Sequence, residues 1–232
     1  SRASRCVLCW VRYFTRAWDE ALEGAEAIIA ECEAGAPMYF EYHPRLVRAR
    51  ITLARGGNEK LVLEDVRRAV EIGDAVKDPQ ARVQTLSHST IVSVELGRLE
   101  EARATVAELV ELLPLGGTDV LGASEVAWVA EMLGAADALR TALAATPVWL
   151  EPYKTVLDRD FERAAELFAA LGLVDEGYAR FKAGEKLLAE GRASEADAQL
   201  RKALAFFRSL GATRYIRKTE ALLTKAGLEI PA

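Results

Sequence analysis

Apolar residues recur three and four positions apart along most of the chain. In 99–113 they fall at Leu99, Ala102, Val106, Leu109, Val110 and Leu113. In 193–210 they fall at Ala196, Leu200, Ala203, Leu204 and Phe207. Such spacing paints one side of a helix. The nearest approach to a strand pattern, Thr90-Ile91-Val92-Ser93-Val94, sits inside a longer helical stretch, so the chain is predicted all-α. Turn residues cut the pattern into pairs. Helices are expected at 2–16 with 18–34, 44–55 with 59–76, 79–96 with 99–113, 120–133 with 135–145, 147–157 with 160–171, and 175–190 with 193–210. A last helix at 212–226 stops at Gly227. Asp78-Pro79 supplies an N-cap and a first-turn proline, and Thr118 or Asp119 is the expected N-cap after Gly116-Gly117. Arg214, Arg217, Lys218 and Lys225 give the last helix a face that reads as solvated.

A short phrase recurs where second helices begin. It stands as Gly97-Arg98-Leu99-Glu100-Glu101-Ala102 and Gly191-Arg192-Ala193-Ser194-Glu195-Ala196. Looser copies are Arg16-Ala17-Trp18-Asp19-Glu20-Ala21 and Arg159-Asp160-Phe161-Glu162-Arg163-Ala164. A turn residue, then acids, then a small alanine describes a tight reversal into a closely packed helix. Repetition of such a unit implies a stack in which each pair buries its neighbour's apolar side. The expected architecture is a right-handed superhelical α-solenoid of about six degenerate helix pairs plus a C-terminal capping helix, one repeat domain over residues 1–232. The opening helix carries Cys6, Val7, Leu8 and Trp10 where a polar cap would be expected, so the chain reads as a C-terminal fragment of a longer multidomain protein.

These units resemble tetratricopeptide repeats, whose period is about 34 residues. With Ala102 at that family's early second-helix alanine, Gly97 falls at its turn, Leu86 at an early large position, Pro114 at its terminal proline and Thr90 at its small position. With Ala196 there, Gly184 takes the small position and Ala203 the later alanine, while Arg180 stands where an aromatic is usual. Ala21 likewise places Leu8, Cys9 and Ile28 at packing positions. The register is irregular, because Ala102 and Ala164 lie 62 residues apart and Ala164 and Ala196 lie 32 apart. The stretch 189–215, with Ala203-Leu204-Ala205-Phe206-Phe207-Arg208 and Gly211-Ala212-Thr213-Arg214-Tyr215, is similar to the tail of large bacterial signalling proteins. Those proteins join a nucleotide-cyclase or DNA-binding (LuxR-type) module to an ATPase module and repeats. The resemblance implies a regulatory, partner-binding or ligand-sensing tail.

Composition narrows the function classes. The chain is 51% hydrophobic and 28% charged, with a net charge of −5, which is globular in character and lacks the basic footprint of a nucleic-acid binder. No stretch approaches the ~20 apolar residues that span a bilayer. With no apolar leader and only three cysteines, a cytoplasmic protein is expected. No Gly-x-x-x-x-Gly-Lys loop is present, and neither a cofactor nor a metal is expected. Cys6 and Cys9 have ligand spacing, but Cys32, His43 and His88 form no second close pair, so core thiols are the simpler reading. His43 and His88 assemble no nucleophile and base set. The run Arg45, Arg48, Arg50 and Arg55 reads as a solvated face before it reads as an anion site.

Aromatics carry the candidate recognition surface: Trp10, Tyr13, Tyr39, Tyr42, Trp128, Trp149, Tyr153 and Tyr178. In tetratricopeptide arrays the first helix of each pair lines a concave groove. The resemblance places Trp10, Tyr13, Gln84, Ser87, Tyr178 and Phe181 there, and Tyr42 and Arg48 complete the candidate set; plain core packing is the competing reading. The expected function is a non-catalytic interaction or regulatory domain. It would bind a peptide, a partner protein or a neighbouring module of its own chain through the groove, with a homodimer through the first repeat as a further expectation. A small-molecule sensor is the alternative, favoured by a pocket lined with aromatics and arginine. An enzyme would require titratable groups converging in a cleft.

Overall fold

The computed structural model describes residues 1–115, 120–144 and 151–231; the expected N-caps Thr118 and Asp119, and Trp149, lie outside them. The described residues are helical, with no strand. The helices are α1 (Arg2–Phe14), α2 (Trp18–Glu33), α3 (Tyr42–Ala54), α4 (Glu59–Val76), α5 (Pro79–Glu95), α6 (Leu99–Leu112), α7 (Val120–Met132), α8 (Ala136–Ala144), α9 (Glu151–Leu157), α10 (Phe161–Leu171), α11 (Asp175–Ala189), α12 (Ala193–Ser209) and α13 (Thr213–Lys225). The aromatic stretch before α3 begins as a 3-10 turn at Tyr39–Glu41, and α3 starts two residues ahead of Pro44. That proline is tolerated because first-turn N–H groups have no partner within the helix.

All four copies of the recurring phrase adopt the same reversal. Gly97 and Gly191 take φ of 77°, and Arg16 and Arg159 take 72° and 58°. Each donates its N–H to the carbonyl three residues back, and the next N–H reaches the carbonyl five back, as in Gly97 to Val94 and Arg98 to Ser93. The acids that follow fill the first turns of α2, α6, α10 and α12, where the positive end of the helix dipole favours them. Ala21, Ala102, Ala164 and Ala196 are fully buried, so the small residue is what lets two helices approach. Gly184 has the same role on α11: a Cβ there would lie 2.5 Å from Leu200 of α12. Arg180, at the unusual position, is buried and held by Glu176 at 2.8 Å and Glu166 at 3.1 Å.

Most helices pack on the next, α6 packs on α8, and α1–α3, α3–α5, α5–α7 and α7–α9 also meet. The two ends of the helix series meet as well, with α3 packed on α13. Val174 N–H donates to the Phe14 carbonyl at 2.8 Å. Arg16 pairs with Glu176 and lies over the Phe206 ring, and Arg55 bonds both Asp19 and the Leu210 carbonyl. One apolar core therefore joins α1–α5 to α11–α13, and a second fills the middle around Trp128, Tyr153, Phe161 and Phe168.

Two expectations about charge need correction. The basic face of α13 is solvated only in part: Arg217, Lys218 and Lys225 are exposed, while Arg214 is half-buried and, together with Lys218, binds the buried carboxylate of Glu95 at the end of α5, at 3.1 and 2.6 Å. The arginines of α3 are not a solvated face. Arg45 and Arg48 converge on Asp65 of α4, which is fully buried.

Candidate functional site

The closure of the two ends creates a chamber between α1, α3, α5, α7 and α11–α13. Its free volume is about 50 Å³. Its walls are mainly aromatic: Tyr13, Trp18, Trp128, Tyr178, Phe207 and Tyr215 among others. Two charged residues face it, Arg50 from α3 and Asp175 from the start of α11.

Arg50 occupies a position that helical periodicity assigns to the core, one turn beyond Leu46 and one turn before Ala54, both buried. Its guanidinium lies over the Tyr13 ring, 5.8 Å from the centroid. Nη1 donates to Nδ1 of His88 at 3.0 Å, and the nearest carboxylate oxygen, on Glu125, is 3.9 Å away. Arginine offers only donors, so His88 is neutral with its proton on Nε2, which faces Glu125 at 3.6 Å. Burial and then Arg50 push the His88 pKa well below the usual imidazole range. Burial works against charge on Arg50 too, but Tyr13 and Glu125 outweigh it and its pKa is raised.

Asp175 is tied into the wall. Trp128 Nε1 donates to Oδ1 at 2.6 Å, and the Tyr153 hydroxyl donates to Oδ2 at 3.3 Å. Burial raises its pKa despite these bonds and despite Arg50. Burial also raises Tyr13 to about 12 and lifts Tyr178 and Tyr215 well above the phenol range. All three therefore stay hydroxyls at neutral pH, and none has a hydrogen-bond partner among the described residues.

No family model, curated protein or solved structure matches the chain. Function rests on the geometry.

The eight candidate residues separate into three groups. Tyr13 and Tyr178 line the chamber. Tyr178 and Phe181 also border an outer cleft between α5, α7, α11 and α13. The rest are built into the interior. Trp10 is 1% exposed, stacks on Phe14 and lies tilted against His88. Tyr42 is buried against His43, whose Nε2 donates to Gln84 at 2.9 Å. Ser87 is fully buried, and Arg48 grips Asp65. Cys6, Cys9 and Cys32 are buried thiols.

Sequence reasoning did not select Arg50, His88, Glu125, Asp175 or Tyr215. Arg50 did leave a signal, as a cation interrupting an apolar stripe. Asp175 left none, since an acid in a first turn is ordinary.

Proposed function

We propose that the chain is a non-catalytic regulatory domain of the tetratricopeptide type, working in the cytoplasm, that senses a small molecule in its central chamber. About six helix pairs and a terminal helix would form a superhelix tight enough for its ends to touch. The concave surface becomes an interior, which suits a small ligand better than a peptide. One observation carries this reading: a mostly buried arginine faces a chamber walled by aromatic rings. Occupancy would be passed to attached modules or partners, the role that the resemblance to bacterial signalling tails implies.

Thermal unfolding against a library of small fragments tests it. At 100-fold excess over Kd, a ligand that binds only the folded chain adds about 2.7 kcal/mol. Fragments that stabilise the protein are expected to change tryptophan fluorescence, because Trp18 and Trp128 line the chamber. Ala54→Leu fills part of that space and should abolish both effects. A library without stabilisers, or stabilisers indifferent to Ala54→Leu, would refute the reading.

A second reading rests on the outer face of α1. Val7, Leu8 and Val11 share one side of it and are each more than 40% exposed. We propose that this stripe docks a second copy of the chain. Sedimentation equilibrium is expected to show a dimer that Leu8→Glu dissolves; a strict monomer at high concentration rules the dimer out.

A further inference from the structure

We propose that the chamber binds a small monocarboxylate, anchored on the free edge of Arg50; this rests on reading the chamber as the sensing site. The donor inventory of Arg50 leads there. One nitrogen, Nη1, is committed to His88. Among the described residues, Nε and Nη2 have no hydrogen-bond acceptor, and Glu125 at 3.9 Å stands beyond hydrogen-bond reach. A guanidinium presents its N–H groups as a planar fork, the shape a carboxylate fills with two parallel bonds.

The walls complete the selection. Both oxygens of Asp175 are held by Trp128 and Tyr153, so this carboxyl is turned to its own wall and does not cap Arg50. Tyr13 lies against the guanidinium, and Tyr178 and Tyr215, with ring centroids 6.0 Å apart, line the same chamber. Their hydroxyls are free to donate to a ligand oxygen. Glu125 already pairs with Arg50 at 3.9 Å and Asp175 lies in the same wall, so little further negative charge is tolerated and a dianion such as phosphate is disfavoured. Size sets the rest. A water needs roughly 10–15 Å³ of such space, so about 50 Å³ holds some three to five non-hydrogen atoms, the range from formate to propionate.

Isothermal titration of the chain with sodium propionate, propionamide and sodium nitrate, at constant ionic strength, separates the terms. Propionate is expected to bind at least tenfold more tightly than either comparison. Propionamide keeps the shape and loses the charge, and nitrate keeps the planar charge and loses the apolar tail. Arg50→Gln should abolish propionate binding, and Arg50→Lys, which keeps the charge without the fork, should weaken it at least fivefold. Should the Arg50 variants fail to fold, Tyr215→Phe tests the same site with a several-fold loss. Propionamide binding as well as propionate would overturn the anchor while leaving the chamber a sensor of neutral molecules. Nitrate binding as well as propionate would overturn the carboxylate assignment. If propionate does not bind but other fragments stabilise the chain, the carboxylate inference fails alone; if nothing binds, both readings fail.

Discussion

Asp65→Ala is expected to destabilise the chain by about 3–5 kcal/mol, the usual result of removing one partner from a buried ion pair. Asp65 is fully buried, and two arginines of the preceding helix close on it. Arg48 binds it with two parallel bonds, Nε to Oδ2 at 2.6 Å and Nη2 to Oδ1 at 2.7 Å. Arg45 adds a third at 3.1 Å. Truncation removes the only acceptor of Arg48 among the described residues, and the Arg48 side chain is just 14% exposed. Arg45 suffers less, because Glu41 and Glu33 still hold it at 2.8 and 3.1 Å. The penalty therefore falls chiefly on Arg48, and Arg48→Met in the Asp65→Ala background should recover part of it. For a chain of this size, 3–5 kcal/mol corresponds to a Tm lower by about 6–20 °C. Urea unfolding checks the value; a loss below about 1 kcal/mol would mean that both guanidiniums swing out to water.

Trp10→Ala should cost a similar amount, about 3–5 kcal/mol, for a different reason. Trp10 is among the largest fully buried side chains, and its ring touches Tyr13, Phe14, His43 and His88. Its removal leaves a hole where α1 meets α3 and α5. Trp10→Phe is the informative companion. The indole Nε1 is buried without a hydrogen-bond partner, so phenylalanine gives up area but no bond. That change should cost less than about 1.5 kcal/mol, as volume-tolerant core swaps do. Urea unfolding of both variants separates two roles for this residue. If Trp10 served as a groove anchor, Trp10→Ala would leave stability unchanged.

Most of the helix pattern was legible because local rules and packing agree. Asp78 caps α5 and Pro79 follows it; Asn58 caps α4. The turn phrase foretold four reversals, and the buried alanines followed from its spacing. Even the two arginines at left-handed positions were marked, since they stand where the better copies have glycine. What could not be read was the meeting of the ends. It depends on how every helix is angled against its neighbours along the chain, and no local pattern records that sum. Glu95 shows the consequence. In the sequence it is a polar residue at a helix end, while its partners, Arg214 and Lys218, lie 119 and 123 residues further on. The candidate site was legible in kind, as aromatics with arginine, but not in membership. Helical spacing tells which face a residue takes, not whether that face ends as an open surface or an enclosed wall.

The meeting of α1–α3 with α11–α13 has a mechanical consequence. Helices from both extremities form the walls of one small space, so the distance between the extremities and the shape of that space are a single coordinate. A molecule that wedges the walls apart shifts the strain onto the Glu95 clamp and the Phe14–Val174 bond. Tension applied at either extremity must alter the grip on such a molecule by the same free energy.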